Sequence, residues 1–203
     1  MNTSRLEAFS DGVFAVAITL LVLQFTVPAV QAGNLLAALL GQWPQLVTYV
    51  ASFLTVGVVW VNHHAVFKGL RTVDRTIQFM NLVLLLTVVL VPFPTQLLGH
   101  FLLKSGWDAS VAAAFYGVVS TVMSIAFLAL VAWALTHPDL LQPTVRAMHL
   151  SEVLPRFGLG LLIYAASIGL AFVSAWLVVA LYAATAIYYA FNQIPWMENR
   201  ARS

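Results

Sequence analysis

Arg5-Leu6-Glu7-Ala8-Phe9-Ser10-Asp11-Gly12-Val13-Phe14-Ala15-Val16-Ala17-Ile18-Thr19-Leu20-Leu21-Val22-Leu23-Gln24-Phe25-Thr26-Val27 carries no charge after Asp11. The apolar run is long enough to cross a hydrocarbon core, which takes about 20 residues. One acid therefore stands near the mouth of a membrane-spanning helix. An ionisable group at that depth is costly unless it faces a bundle interior, a partner or water, so it marks a functional position. The run also exceeds the core of a signal peptide, which spans about seven to fifteen residues, and Val27-Pro28-Ala29-Val30-Gln31-Ala32 is a weak cleavage pattern. The segment is read as a retained helix.

Composition extends this reading to the rest of the chain. Of 203 residues, 62% are hydrophobic and 8% charged, against roughly a quarter charged in soluble domains. The fold class is therefore all-α, an integral membrane protein with lipid as its surroundings. A net charge of +2 with scattered basic residues excludes nucleic acid as a partner. The lack of cysteine removes disulfide frameworks, thiolate metal sites and thiol nucleophiles.

Five apolar stretches follow along the chain, at about 6–28, 44–64, 77–99, 110–135 and 157–194. The last, at about 57 Å as one helix, is too long for a single span. Arg156 precedes it and Arg200 and Arg202 follow it, so the positive-inside rule keeps both ends cytoplasmic. A turn near Ser174 then gives six transmembrane helices in a single domain covering 1–203, with both termini inside. Eight of the nine basic residues fall inside: Arg5, Lys68, Arg71, Arg75, Arg146, Arg156, Arg200 and Arg202, leaving Lys104 outside. Residues 29–43 and 100–109 are read as outer loops.

On a helical wheel at 100° per residue, Val16, Thr19, Leu20 and Leu23 fall within about 100° of arc, while Ser10 and Asp11 point about 120–140° away from Val16. Such a stripe serves helix packing as readily as any other role, and the wheel alone does not choose. Asp11 cannot be satisfied within its own helix, because Glu7 at i−4 is a like charge and Arg5 lies on another face. Donors at the matching depth stand in Trp60-Val61-Asn62-His63-His64. A cluster of Ser10 and Asp11 with Asn62, His63 and His64 would satisfy polar groups that are expensive to bury alone. It would act as an inter-helix clamp. A histidine beside a carboxylate also titrates near physiological pH, so proton-sensitive gating is the competing role. The competing function is a proton-conducting protein or small secondary transporter that uses Asp11, His63 and His64 as a relay.

Other chemistries find little support. Adjacent histidines point to different helix faces and do not share an ion readily, and HExxH spacing is missing. His100, His137 and His149 fall at helix ends or in loops. No GxSxG, Walker or GxGxxG motif points to an enzyme, and no TVGYG run builds a carbonyl filter.

Arg5-x-x-x-Phe9-Ser10-Asp11 before a long apolar helix, with Trp60-Val61-Asn62-His63-His64 on the second, resembles the transmembrane protein 175 family of endolysosomal potassium channels and their shorter prokaryotic homologues. The resemblance implies a homotetramer in a prokaryotic cytoplasmic membrane, with the first helix of each subunit lining a central pore. It implies a weakly potassium-selective cation channel, neither an enzyme nor dependent on a cofactor, with K+ as the permeating ion. The position five residues after the Asp, an isoleucine or leucine at the neck in that family, is Val16 here; Thr19, Leu20 and Leu23 take the other pore-facing positions. These are the residues of the wheel's stripe. Valine is smaller, which implies a wider constriction and weaker selectivity.

Overall fold

The computed structural model describes residues 3–28, 33–104, 106–143, 145 and 150–192, with side chains described except at 150–156 and 190–192. Arg146, His149, Arg200 and Arg202 lie outside the described residues, as does the side chain of Arg156. Helix α1 covers Thr3–Leu20 and tightens into a 3₁₀ turn over Leu21–Gln24, followed by α2 at Leu35–Leu40, α3 at Trp43–Lys68, α4 at Arg75–Leu90 and α5 at Pro92–Phe101. Helices α6 at Trp107–Thr136, α7 at Leu150–Leu170 and α8 at Ala175–Asn192 complete the bundle.

Among the described residues, four stretches are long and apolar enough to cross a membrane: Thr3–Gln24, Trp43–Lys68, Arg75–Phe101 and Trp107–Thr136. Six such spans were expected. The last stretch reverses between Leu170 and Ala175, and the parts of α7 and α8 whose side chains are described, Phe157–Leu170 and Ala175–Tyr189, are apolar. The turn itself falls where charge placed it. Other breaks are local. The first span stops at Gln24, and Phe25 is extended; a helix continued to Pro28 would set its ring against the Gln24 carbonyl four residues back. The third span is broken at Pro92, as Pro92 and Pro94 lead one to expect, because a proline inside a helix removes a hydrogen bond and clashes with the preceding turn. The connection between the first two spans also holds the short α2.

Two connections meet at one end of the bundle. The Arg71 N–H donates to the Leu140 carbonyl at 2.8 Å, the Gln142 N–H to the Gly69 carbonyl at 2.9 Å, and the Gln142 side-chain amide to the Lys68 carbonyl at 2.9 Å. The chain leaving α3 is thereby clipped to the chain leaving α6. Asp74 caps α4, accepting from the Ile77 N–H at 2.7 Å and from the Trp133 indole N–H at 3.0 Å. Both connections carry residues assigned to the same side by charge.

Close approach of helices relies on small residues, as in other membrane bundles. A Cβ on Gly99 would stand 2.7 Å from Thr48 Oγ1 and 3.2 Å from the Gln45 Cα, so α5 crosses α3 almost backbone to backbone. One buried cluster, including Phe14, Leu21, Val56, Ile77, Leu84 and Leu130, joins α1, α3, α4 and α6. A second, around Tyr116, Tyr164, Val178 and Tyr182, joins α6, α7 and α8.

Candidate functional site: the two faces of the first helix

Helix α1 buries Leu6, Ser10, Phe14 and Ala17, a run of i, i+4, i+8 and i+11 that forms one stripe, and packs it on α3 and α4. The opposite face is uncovered within the subunit. Val16 is 54% exposed, Leu20 37% and Leu23 67%, with Thr19 exposed between them. The stripe found on the wheel is therefore the side of α1 that its own subunit does not cover. The Thr19 hydroxyl donates to the Val16 carbonyl at 2.9 Å. Its hydrogen is thus directed back onto the helix, and a lone pair of its oxygen is left for an incoming group.

On the inward face, a chain of hydrogen bonds crosses three helices. His63 Nε2 donates to Asn81 Oδ1 at 2.8 Å, Asn81 Nδ2 donates to Ser10 Oγ at 2.9 Å, and the Ser10 hydroxyl donates to the Leu6 carbonyl at 2.8 Å. All three side chains are fully buried. The imidazole lies between Phe14, at 5.3 Å, and Phe67, at 4.2 Å, and its Nδ1 has no partner. With the ring proton on Nε2, Phe67 stacks on the face of the imidazole.

Nearer the surface, the Trp60 indole N–H donates to Asp11 Oδ1 at 2.8 Å, and His64 Nδ1 lies 2.6 Å from Glu7 Oε1. Positions 7 and 11 on α1 and 60 and 64 on α3 are each one turn apart, so these contacts form two rungs between antiparallel helices. The expected cluster is thus divided. Asp11 is bonded to Trp60 rather than to Asn62, His63 or His64, because residues 60 and 64 share the face towards α1 while His63 turns to α4. Ser10 meets His63 only through Asn81. Asn62 joins none of these contacts and lines a cavity on the other side of α3. Arg5 and Phe9 are exposed.

Asn81, the bridging residue, was missed by sequence reasoning. It is a lone carboxamide in the apolar run Met80-Asn81-Leu82-Val83. Such a group has to find partners in a membrane, and that was the available signal. Among the described residues, no group of three His, Cys, Asp or Glu stands close enough to hold a metal.

Residues 5–92 match the family described as "Endosomal/lysosomal potassium channel TMEM175". A potassium channel of Streptomyces collinus is 48% identical over 198 residues, covering 96% of this chain and 95% of that protein. A potassium channel of Chamaesiphon minutus is 38% identical over 194 residues, covering 94% and 95% respectively. The crystal structure of a lysosomal potassium-selective channel TMEM175 homologue from Chamaesiphon minutus superposes with a TM-score of 0.81 at 36% identity, over 93% of this chain and 96% of that one.

Proposed function

The chain belongs to the TMEM175 family, and from that premise we propose that it is a potassium-permeable, weakly K+-selective cation channel. One observation carries the reading: the first helix leaves Val16, Leu20 and Leu23 uncovered while its opposite face is fully packed. One such helix cannot enclose a path. Four copies around a shared axis would turn the stripe into stacked rings of branched side chains, with Val16 at the neck and Thr19 beyond it. In this assembly α7 and α8 also cross the bilayer, giving six crossings per subunit in one domain, with both termini on the cytoplasmic side of a prokaryotic cell membrane. Its partners are three further copies, the surrounding lipid and monovalent cations.

Sorting follows from the character of those rings. An apolar neck offers nothing to replace lost hydration, and K+ sheds water more readily than Na+, so passage is easier for K+. The Thr19 oxygens replace part of the lost shell. Discrimination is modest because no ring of carbonyl oxygens or charges takes part, and conduction requires no cofactor. The same apolar neck can stop conduction by emptying of water. Ser10, Asn81 and His63, together with the Asp11–Trp60 and Glu7–His64 rungs, hold α1 at a set angle to α3 and α4. Their role is positional.

The test is the bi-ionic reversal potential of the purified protein in planar bilayers, comparing wild type with Val16→Asn. A polar side chain at the neck should hydrate it, raising conductance and moving the K+/Na+ reversal potential. Unchanged conduction with a lowered melting temperature would instead mean that Val16 packs against protein, and the proposal would fail.

A further inference from the structure

On the side of α3 away from the hydrogen-bonded chain, a half-open cavity of about 60 Å³ lies between α3, α6, α7 and α8. Asn62, Ser124, Tyr164 and Tyr189 bring polar atoms to its wall. Among the described residues, neither the Asn62 carboxamide nor the Ser124 hydroxyl has a hydrogen-bond partner. Asn62 stands about 9 Å from the end of α3, and Ser124 lies near the middle of α6. Both are at depths where an unsatisfied amide or hydroxyl is costly. A partner from outside the chain would relieve that cost.

The cavity continues into a lateral cleft of about 360 Å³ that shares Val58, Asn62 and Tyr189 with it. The cleft's remaining wall is apolar, from Ile18, Phe53, Leu54, Gly57, Trp60 and Val61. An apolar antechamber therefore leads to an unsatisfied polar end, with no charged side chain among the described residues of either wall. We infer that the two form one binding site for a small neutral amphiphile, of the class of alcohols and phenols, whose apolar body fills the cleft and whose hydroxyl bonds Asn62 and Ser124. A lipid tail would leave both polar groups unpaired. An ion would meet no counter-charge. Water fits the inner cavity, which is larger than the 10–15 Å³ or so that one molecule needs, but it does not account for the apolar antechamber. Ile18 places the ligand against α1, one residue from Thr19.

Tribromoethanol is a suitable probe, because bromine quenches tryptophan on contact and Trp60 lines the cleft. In the detergent-solubilised full chain, titration should give a saturable loss of fluorescence that disappears in Trp60→Phe. The hydroxyl-free tribromoethane should bind about tenfold more weakly, the weight of one hydrogen bond made away from water. Asn62→Leu should weaken tribromoethanol by a similar factor. A Cβ on Gly57 meets nothing within 4 Å, so Gly57→Leu should fold, fill the cleft and abolish saturation. Quenching that rises without saturation in wild type would reduce the effect to partition into detergent and overturn the site. So would equal affinity for the two bromo compounds, a comparison that needs no variant. Binding is read without reference to conduction, so a failure here leaves the channel assignment standing, and a channel without this site is a clear result.

Discussion

The hydroxyl of Ser10 accepts from Asn81 and donates to Leu6 at once, so removing it strands an amide hydrogen in a place with no water. Ser10→Ala should therefore lower the melting free energy by about 1–3 kcal/mol, the cost of leaving one buried donor unsatisfied. Asn81→Leu should cost at least as much, since it orphans His63 Nε2 as well. The two losses should fall short of adding in the double variant, because both belong to one chain of bonds; thermal melts of the four proteins check this, and strict additivity would mean the bonds are independent. Asp74 makes a different forecast, one of pH. Burial alone would raise its pKa. The Ile77 N–H, the Trp133 indole N–H and the nearby His137 outweigh burial and hold it below the ordinary carboxylate value. A folded pKa below the unfolded one contributes stability that is present above the unfolded value and is lost as pH falls through the folded value. Wild type should therefore lose stability below about pH 4, and Asp74→Ala, weaker at neutral pH by about 1 kcal/mol for the lost cap, should converge with it in acid. Melts between pH 7 and pH 3 would show parallel curves if Asp74 contributes nothing.

Helices in this bundle are legible from the sequence where composition alone decides them, and less so where a neighbour does. The four long spans follow from runs of apolar residues, and the reversal at Ser174 followed from the arginines at both ends of an overlong stretch. The break at Pro92 has its cause in the proline itself, which together with Pro94 is expected from the sequence to bend or end the third helix. The polar contacts were harder. Placing Asp11 beside the Trp60-to-His64 segment required only matching depths along two helices, but choosing Trp60 as its partner required knowing how α3 is rotated, which the wheel of α1 does not contain. Asn81 went unseen for the same reason: its meaning lies in two other helices. Rotation is set by close crossings, and these can be tested. At Gly99 a methyl group would meet Thr48 Oγ1 at 2.7 Å and the Gln45 Cα at 3.2 Å; the hydroxyl is held to the carbonyls of Pro44 and Gln45, so it yields poorly. Gly99→Ala should destabilise by about 1–3 kcal/mol through overpacking. Gly169, whose added Cβ meets nothing within 4 Å, is the counterpart, and Gly169→Ala should stabilise α7 by roughly 0.5–1 kcal/mol through helix propensity. Equal effects at the two glycines in a denaturation series would contradict the crossing geometry.

For the whole molecule, the question is what covers the outward stripe of α1. Lipid and a shared axis both fit an uncovered apolar face, and exposure within one subunit does not separate them. Symmetry does. Around a four-fold axis the same residue of neighbouring copies is brought together, whereas a lipid-facing residue meets its equivalents only by chance collision. The chain contains no cysteine, so single-cysteine variants report one position each without background. The Cα–Cα distance across a disulfide is usually 4.4–6.8 Å, a reach that neighbouring first helices meet only if their stripes converge. Leu20→Cys and Leu23→Cys should therefore give disulfide-linked dimers on mild oxidation of the membrane-embedded protein. Leu86→Cys, at a position 70% exposed on α4, should stay monomeric on a denaturing gel. Dilution of the protein in lipid should leave the linked fraction unchanged if the copies are held in an assembly, and reduce it if collisions make the bond. Cross-linking at Leu86 with none at Leu20 or Leu23 would place a different face at the axis, and the pore would have to be sought along α4 instead of α1.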